Sequence, residues 1–326
     1  MRRKVPIATT YGNGGMQSMA RGRPGARPTS RCRRLAAFAL AAMLLCAAYW
    51  SATPPSTGSL RGSAATTTAA ATPRGWYANA TAADHLIMVA GHAVLDHSAG
   101  GGVSDGDDAA WVLLPYQRGQ GLGASFVAHV ERGVREAAAD PRSLVVFSGG
   151  QTRPDAGPWS EGASYWQVAS AHGWFGTPGV AHRAAAEEYA RDSFENLLFS
   201  LCRFKEATGR YPARTTVVSY AFKKDRFLDL HAKALRLPNV DFAGTDPPAG
   251  AAFDLEAATA GERANGYGPF VGDPYGCADP VLVSKREGRN PFARTLPYGE
   301  SCPEMKGLFD ACGARFYAGA VPWESA

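Results

Sequence analysis

LVVFSGGQTR, residues 144 to 153, decides the fold class. Four apolar residues run without a polar interruption into two glycines, the pattern of a strand buried on both faces that ends in a tight strand-to-helix turn. The helix beyond the turn carries Trp159, Ala163 and Trp166 on one side. Upstream, Phe126, Val127, Val130, Val134 and Ala137 recur at threes and fours between Ser125 and the stop at Asp140-Pro141, so an amphipathic helix precedes the strand. Further back, LIMVA, residues 86 to 90, is a second continuous apolar run and ends in Gly91-His92.

The alternation continues downstream. Asp192 or Ser193 is a good N-cap for a helix that buries Phe194, Leu197, Leu198, Leu201 and Cys202. TTVV at 215 to 218 reads as the next strand, followed by a helix with Phe227, Leu228, His231, Ala234 and Leu235 on one face and a short strand around Val240 to Ala243. Strands alternating with helices predict an α/β domain over residues 84 to 245, a Rossmann-like three-layer sandwich with a mostly parallel sheet. Residues 246 to 326 are Gly/Pro-rich with scattered aromatics (GYGPF, DPYG, NPF, LPYG) and read as an irregular C-terminal cap packed on that sheet.

The amino-terminal quarter has another character. Residues 1 to 83 hold eleven Lys or Arg and no Asp or Glu, while residues 84 to 326 hold 23 basic against 29 acidic residues, a formal charge of −6. An acidic domain repels phosphate backbones, so nucleic acid is set aside as a partner. LAAFALAAMLLCAAYWSA, residues 35 to 52, is uncharged and apolar between Arg33-Arg34 and Pro54-Pro55. At the short end of what spans a bilayer, it suits a thin membrane such as the endoplasmic reticulum or Golgi. The six arginines from Arg21 to Arg34 keep a tail at 1 to 34 cytoplasmic, which makes the chain a type II single-pass signal-anchor protein with a lumenal domain. Residues 53 to 83, rich in Ser, Thr, Ala and Pro, form a disordered stalk bearing the sequon Asn79-Ala80-Thr81. An organellar transit peptide has the same Arg-rich, acid-poor composition and is the alternative.

Four cysteines fall in the domain. Cys202 lies on an apolar helix face and reads as a buried thiol; a Cys302 to Cys312 disulfide suits an oxidising lumen, although pairing is not encoded in spacing. No CxxC or His/Cys spacing points to zinc, and no GxGxxG names a cofactor.

In an open α/β sheet, ligands bind beyond the carboxyl ends of the strands. His92 follows the first strand there, Ser148 to Arg153 the second, and Lys223, Lys224 and Arg226 the third. Gly149 and Gly150 offer unobstructed backbone N–H groups to a phosphate or carboxylate, with Arg153 as counter-charge. Glu161 or Glu187 acts as general base or, as a pair, the two hold a divalent ion. Ser193, Glu195 and Asn196 head the next helix as ligand contacts, though a cap and a solvated first-turn acid explain the first two equally well. His231 reads as a core histidine.

The order of these motifs resembles the domain of unknown function 218 family, the YdcF/SanA/ElyC-like proteins, over roughly residues 85 to 245. The carriers are AGH at 90 to 92, Arg118 in LPYQRG, SGG at 148 to 150 with Glu161 downstream, EEYARDSFEN at 187 to 196, and VVSYAFKKDRF at 217 to 227. EEYARDSFEN matches the family's Glu, Ser or Thr, Glu-Asn pattern through Glu187, Ser193, Glu195 and Asn196, and SFENLLFS looks like its fungal membrane-anchored branch. Where the bacterial pattern has a His three residues before an Arg, this chain has Lys223 before Arg226, a residue suited to an anion. The resemblance implies a Rossmann-like fold with a site at the strand ends, in a family whose bacterial members are linked to envelope and lipid-carrier processes. Two functions follow as expectations: an enzyme acting on a small anionic, phosphorylated or lipid-linked ligand at the membrane, or a non-catalytic lumenal binding module. No nucleophile elbow or metal cluster in the sequence establishes catalysis.

Overall fold

The computed structural model describes residues 80–98, 104–247 and 251–324. The basic tail, the apolar run at 35 to 52, Asn79 and nearly all of the stalk lie outside the described residues. Among the described residues no helix is long and apolar enough to cross a membrane. Residues 80 to 83, read as stalk, belong to the domain: Ala80 and Ala83 are buried in its core.

The strands in chain order are β1 (His85–Ala90), β2 (Val94–Leu95), β3 (Trp111–Val112), β4 (Ser143–Ser148), β5 (Ala184–Glu187), β6 (Arg214–Ser219) and β7 (Val240–Gly244). β2 and β3 form a small antiparallel pair; the other five make one parallel sheet in the order β5-β4-β1-β6-β7. The chain starts at the centre, builds outward through β4 to β5, and returns to build β6 and β7 on the other side. This is the doubly wound α/β arrangement, and its order reverses between β1 and β6.

Side chains alternate between faces with period two. Ile87, Val89, Val145, Phe147 and Val218 meet α1 (Leu122–Ala139) and α2 (Glu161–Ala171), while Leu86, Met88, Ala90, Leu144, Val146 and Val217 meet α3 (Ser193–Thr208). Each fully buried Leu or Phe contributes roughly 1.5–3 kcal/mol against the entropy of ordering the chain. α1 starts three residues before the expected Ser125 because the Asp108 carboxylate accepts the N–H groups of Gly121 and Gly123, both at 3.0 Å. The expected helix over 227 to 235 is a π-helical turn, Arg226–His231, running into Ala232–Ala234.

Beyond β7 the chain forms α4 (Leu255–Glu262), a further π-helical turn and short helices, and α5 (Pro280–Gly288). Its Phe270, Tyr275, Leu282, Tyr298, Met305, Leu308, Val321 and Trp323 pack into the core on the α3 side. The disulfides correct the cysteine reading: Cys202 bonds to Cys302, and Cys277 to Cys312. The buried face of α3 that hid Cys202 is the face on which the C-terminal segment lies, so its thiol meets Cys302 directly after the helix Tyr298–Ser301.

Candidate functional site

A cavity of about 1040 Å³ opens beyond the carboxyl ends of β1 and β6, where the strand order reverses. Gly91 and His92 enter it from β1, and Ser219 and Tyr220 from β6. Of the predicted site residues, His92, Arg153, Glu161, Ser193, Asn196, Lys223 and Arg226 line it.

Glu161 opens α2, whose N-cap Ser160 accepts the Ala163 N–H. Its carboxylate lies where a Cβ on Gly149 would stand 2.6 Å from Oε2 and one on Gly91 2.7 Å from Cβ, so these two glycines let α2 press against the strand ends. Glu161 Oε1 accepts from Thr152 Oγ1 at 2.5 Å and lies 3.5 Å from Arg153 Nη1. Arg153 is 4 % exposed and donates to Thr152 Oγ1 at 2.7 Å and to the His92 carbonyl at 3.0 Å. The pair is a finished ion pair in the cavity wall, and its charges largely cancel.

Four expected site residues are structural instead. The N–H of Gly149 donates to the Glu187 carbonyl at 3.0 Å and that of Gly150 to the Ala190 carbonyl at 2.7 Å, so neither is free to cradle an anion and neither residue lines the cavity. Glu187 is fully buried and also outside the lining. Its carboxylate accepts from Ser148 Oγ (2.7 Å), Tyr298 OH (2.9 Å) and the Tyr189 N–H (2.7 Å), a contact set that pins β5 to β4 and to the C-terminal segment. Burial pushes its pKa up to about 7. With Glu187 buried outside the lining and Glu161 paired to Arg153, the two do not form the expected divalent-ion pair, and among the described residues no group of three His, Cys, Asp or Glu is arranged to hold a metal. Glu195 is bound to Arg191 and faces Arg286 at 3.5 Å.

The cations differ in how far they are neutralised. Arg226 pairs with Glu262 at 3.1 Å. Arg289 donates to the Arg191 carbonyl at 2.9 Å and Lys285 Nζ to the Asn265 carbonyl, but neither has a carboxylate partner among the described residues. Lys223 has none either; its Nζ stands 5.1 Å from the ring centre of Tyr220 and 5.7 Å from that of Phe222. Seven Lys or Arg and five Asp or Glu line the cavity, an excess of two positive charges inside a domain that is acidic as a whole. Burial, and then the Arg226 charge, bring the Lys223 ammonium down to about 7.

His92 stacks on Tyr220 (4.9 Å), meets His129 edge-on (5.3 Å) and lies 3.3 Å from Ser219 Oγ through Nε2. Burial first, and Lys223 next, hold it well below the ordinary histidine range, so it faces the cavity as a neutral imidazole. His129 sits behind it, bonded to the Thr245 carbonyl at 2.9 Å, with burial bringing it down to about 4.

Sequence reasoning missed Glu262 on α4, Lys285 on α5 and Arg289 just past it, all from a segment whose composition signals only a cap. It placed His231 correctly in the core but missed its contact with Ser193, whose Oγ lies 2.7 Å from His231 Nε2.

The chain is similar to the uncharacterized protein YOR238W of Saccharomyces cerevisiae, 27% identical over 234 residues that cover 59% of this chain and 77% of the yeast protein. No family model matches the chain. No solved structure matches it.

Proposed function

We propose that the cavity binds a small anionic ligand, phosphorylated or lipid-linked, and that the protein is an enzyme acting on it. One observation carries this: Lys223, Lys285 and Arg289, none paired with a carboxylate among the described residues, converge on one cavity at the switch point of the sheet. Unpaired cations in a recess attract an anion more strongly than the same charges on an open surface. Binding of inorganic phosphate and of sulfate by the full chain, followed by calorimetry, tests it. Lys223→Gln and Arg289→Gln are each expected to weaken binding about tenfold or more, the size of one lost charge-assisted contact, with unchanged circular dichroism. Normal affinity in both variants refutes the site.

The reading extends to location and kinship. A type II anchor at 35 to 52 and a lumenal domain are supported by the arginine flank, the sequon at Asn79 and the pairing of all four described cysteines, since disulfides persist in oxidising compartments. A mobility shift on removing N-glycans, lost in Asn79→Gln, is the expected result; an unmodified protein from a secretory host favours the organellar alternative. Membership of the domain of unknown function 218 family is part of the same proposal. Its support is that His92, Glu161, Ser193, Asn196 and the Lys223 to Arg226 turn, which carry the resemblance, border one cavity.

A further inference from the structure

Ser193 and His231 form a pair for which anion binding alone has no use. Ser193 opens the sixteen-residue helix α3 and lines the cavity. Its Oγ is 2.7 Å from Nε2 of His231, which is fully buried and does not itself line the cavity. The imidazole is packed against Phe194, Phe227 and Phe270, each at a steep angle, with ring centres 5.7, 5.5 and 4.6 Å away, and its Nδ1 has no hydrogen-bond partner among the described residues. The ring thus has one polar contact, and that contact opens onto the cavity. A side chain needed only to fill this aromatic nest would do better as Phe or Leu, because the orphaned Nδ1 costs about 1–3 kcal/mol. The π-helical turn Arg226–His231 places His231 here, and such turns recur at functional sites.

The surroundings suit a nucleophile. A hydroxyl at the start of a long helix feels the positive end of its dipole, which favours negative charge developing on Oγ. Burial, and then the Arg226 charge, hold His231 well below the ordinary histidine range, so it is neutral and can accept a proton. Lys223, Lys285 and Arg289 supply positive charge in the same cavity.

We propose that Ser193 is a nucleophile toward phosphorus, with His231 as its base, and that the substrate is a phosphoanhydride; this rests on the anion-site reading above. In the first step the bond from Ser193 Oγ to phosphorus forms as the bond to the bridging oxygen breaks. The Ser193 proton passes to His231 Nε2, and the leaving group departs with the electron pair of the broken bond. In-line displacement puts that leaving group on the far side of phosphorus from His231, which cannot protonate it. A leaving phosphate needs no proton whereas an alcohol does, and this selects the anhydride. In the second step water attacks the phosphoserine. Ser193 leaves with its bonding pair and recovers the proton from His231, one hydrogen of the water stays on the released phosphate, and the other goes to solvent.

Inorganic pyrophosphate is the probe, added to the full chain with and without magnesium. Acid quench and mass spectrometry are expected to find one phosphoryl group on the peptide containing Ser193, with phosphate released over time. Ser193→Ala is expected to bind pyrophosphate within about twofold of the wild type while losing both label and release, and His231→Gln to slow labelling about a hundredfold, the worth of a general base. Ser193→Ala keeps the proposal testable if His231→Gln fails to fold. Binding without label or release in the wild type, label on another residue, or undiminished release by Ser193→Ala overturns the nucleophile and leaves the anion site standing. No binding of pyrophosphate by the wild type overturns both.

Discussion

Lys223 should take up a proton when the cavity fills. Its ammonium has come down from 10.5 to about 7 because it is buried beside Arg226, so at pH 7 about half of the molecules carry it neutral. A bound dianion reverses the repulsion and returns the group toward its ordinary range, so sulfate binding at pH 7 should draw in about half a proton per ligand. The uptake should rise to about one proton at pH 8.5 and fall to nearly none at pH 5.5, where Lys223 is already charged. Sulfate is the right ligand because, unlike phosphate, it does not titrate in this range. Calorimetry in paired buffers of different ionisation enthalpy reads the proton number directly. Lys223→Met should abolish the uptake. Glu187→Gln, which removes the other group near 7 but lies outside the cavity lining, should retain it. Zero uptake at both pH 7 and pH 8.5, or uptake that survives Lys223→Met, refutes the reasoning.

Glu187 makes a second, stability-based prediction. Its folded pKa, about 7, lies above the 4.5 of the free group, so the folded state holds the proton more tightly and stability falls as pH rises from about 4.5 to about 7, by an amount on the order of 3 kcal/mol. Denaturant titrations across that window should show the fall in the wild type and little of it in Glu187→Gln; a flat wild-type profile contradicts it. Gly150→Ala should destabilise the fold by about 1–3 kcal/mol, since its Cβ would stand 2.8 Å from the Ala190 carbonyl oxygen, and should leave anion affinity in the folded fraction unchanged. Opening the Cys202 to Cys302 bond, which spans 100 residues, by Cys202→Ala should cost about 3–5 kcal/mol in denaturant unfolding, and an unchanged midpoint counts against the pairing.

The parts of the fold legible in the sequence are those whose burial is uniform. LIMVA and LVVF are covered on both faces and read as unbroken apolar runs, and α3 advertises its inner face through Phe194, Leu197, Leu198 and Leu201. β5 is AAAE, and alanine carries almost no strand preference; only pairing with β4 makes it a strand. In the site, residues just after a strand were placed correctly because chain direction alone brings them to the carboxyl edge. The glycines misled because the same lack of a side chain that frees an N–H for an anion also admits Glu161 and the Ala190 carbonyl, and here the close contacts took the space. Arg289 and the Ser193 to His231 contact depend on segments that meet only after the sheet is built.

The cysteine order along the chain has a consequence for biosynthesis. Of the four cysteines in the α/β domain and its C-terminal segment, Cys202 leaves the ribosome first, and the next to follow is Cys277, which is not its partner; Cys302 and Cys312 come later still. At translation rates of roughly 5–20 residues per second, Cys202 and Cys277 coexist for a second or more before either native partner is made. The first crosslink available within the nascent domain is therefore the wrong one, and correcting it requires thiol exchange once Cys302 emerges. Under the proposed lumenal topology, folding of the domain should depend on the disulfide-shuffling capacity of the host, and a chain cut before Cys302 should be held by oxidoreductases as a mixed disulfide at Cys202.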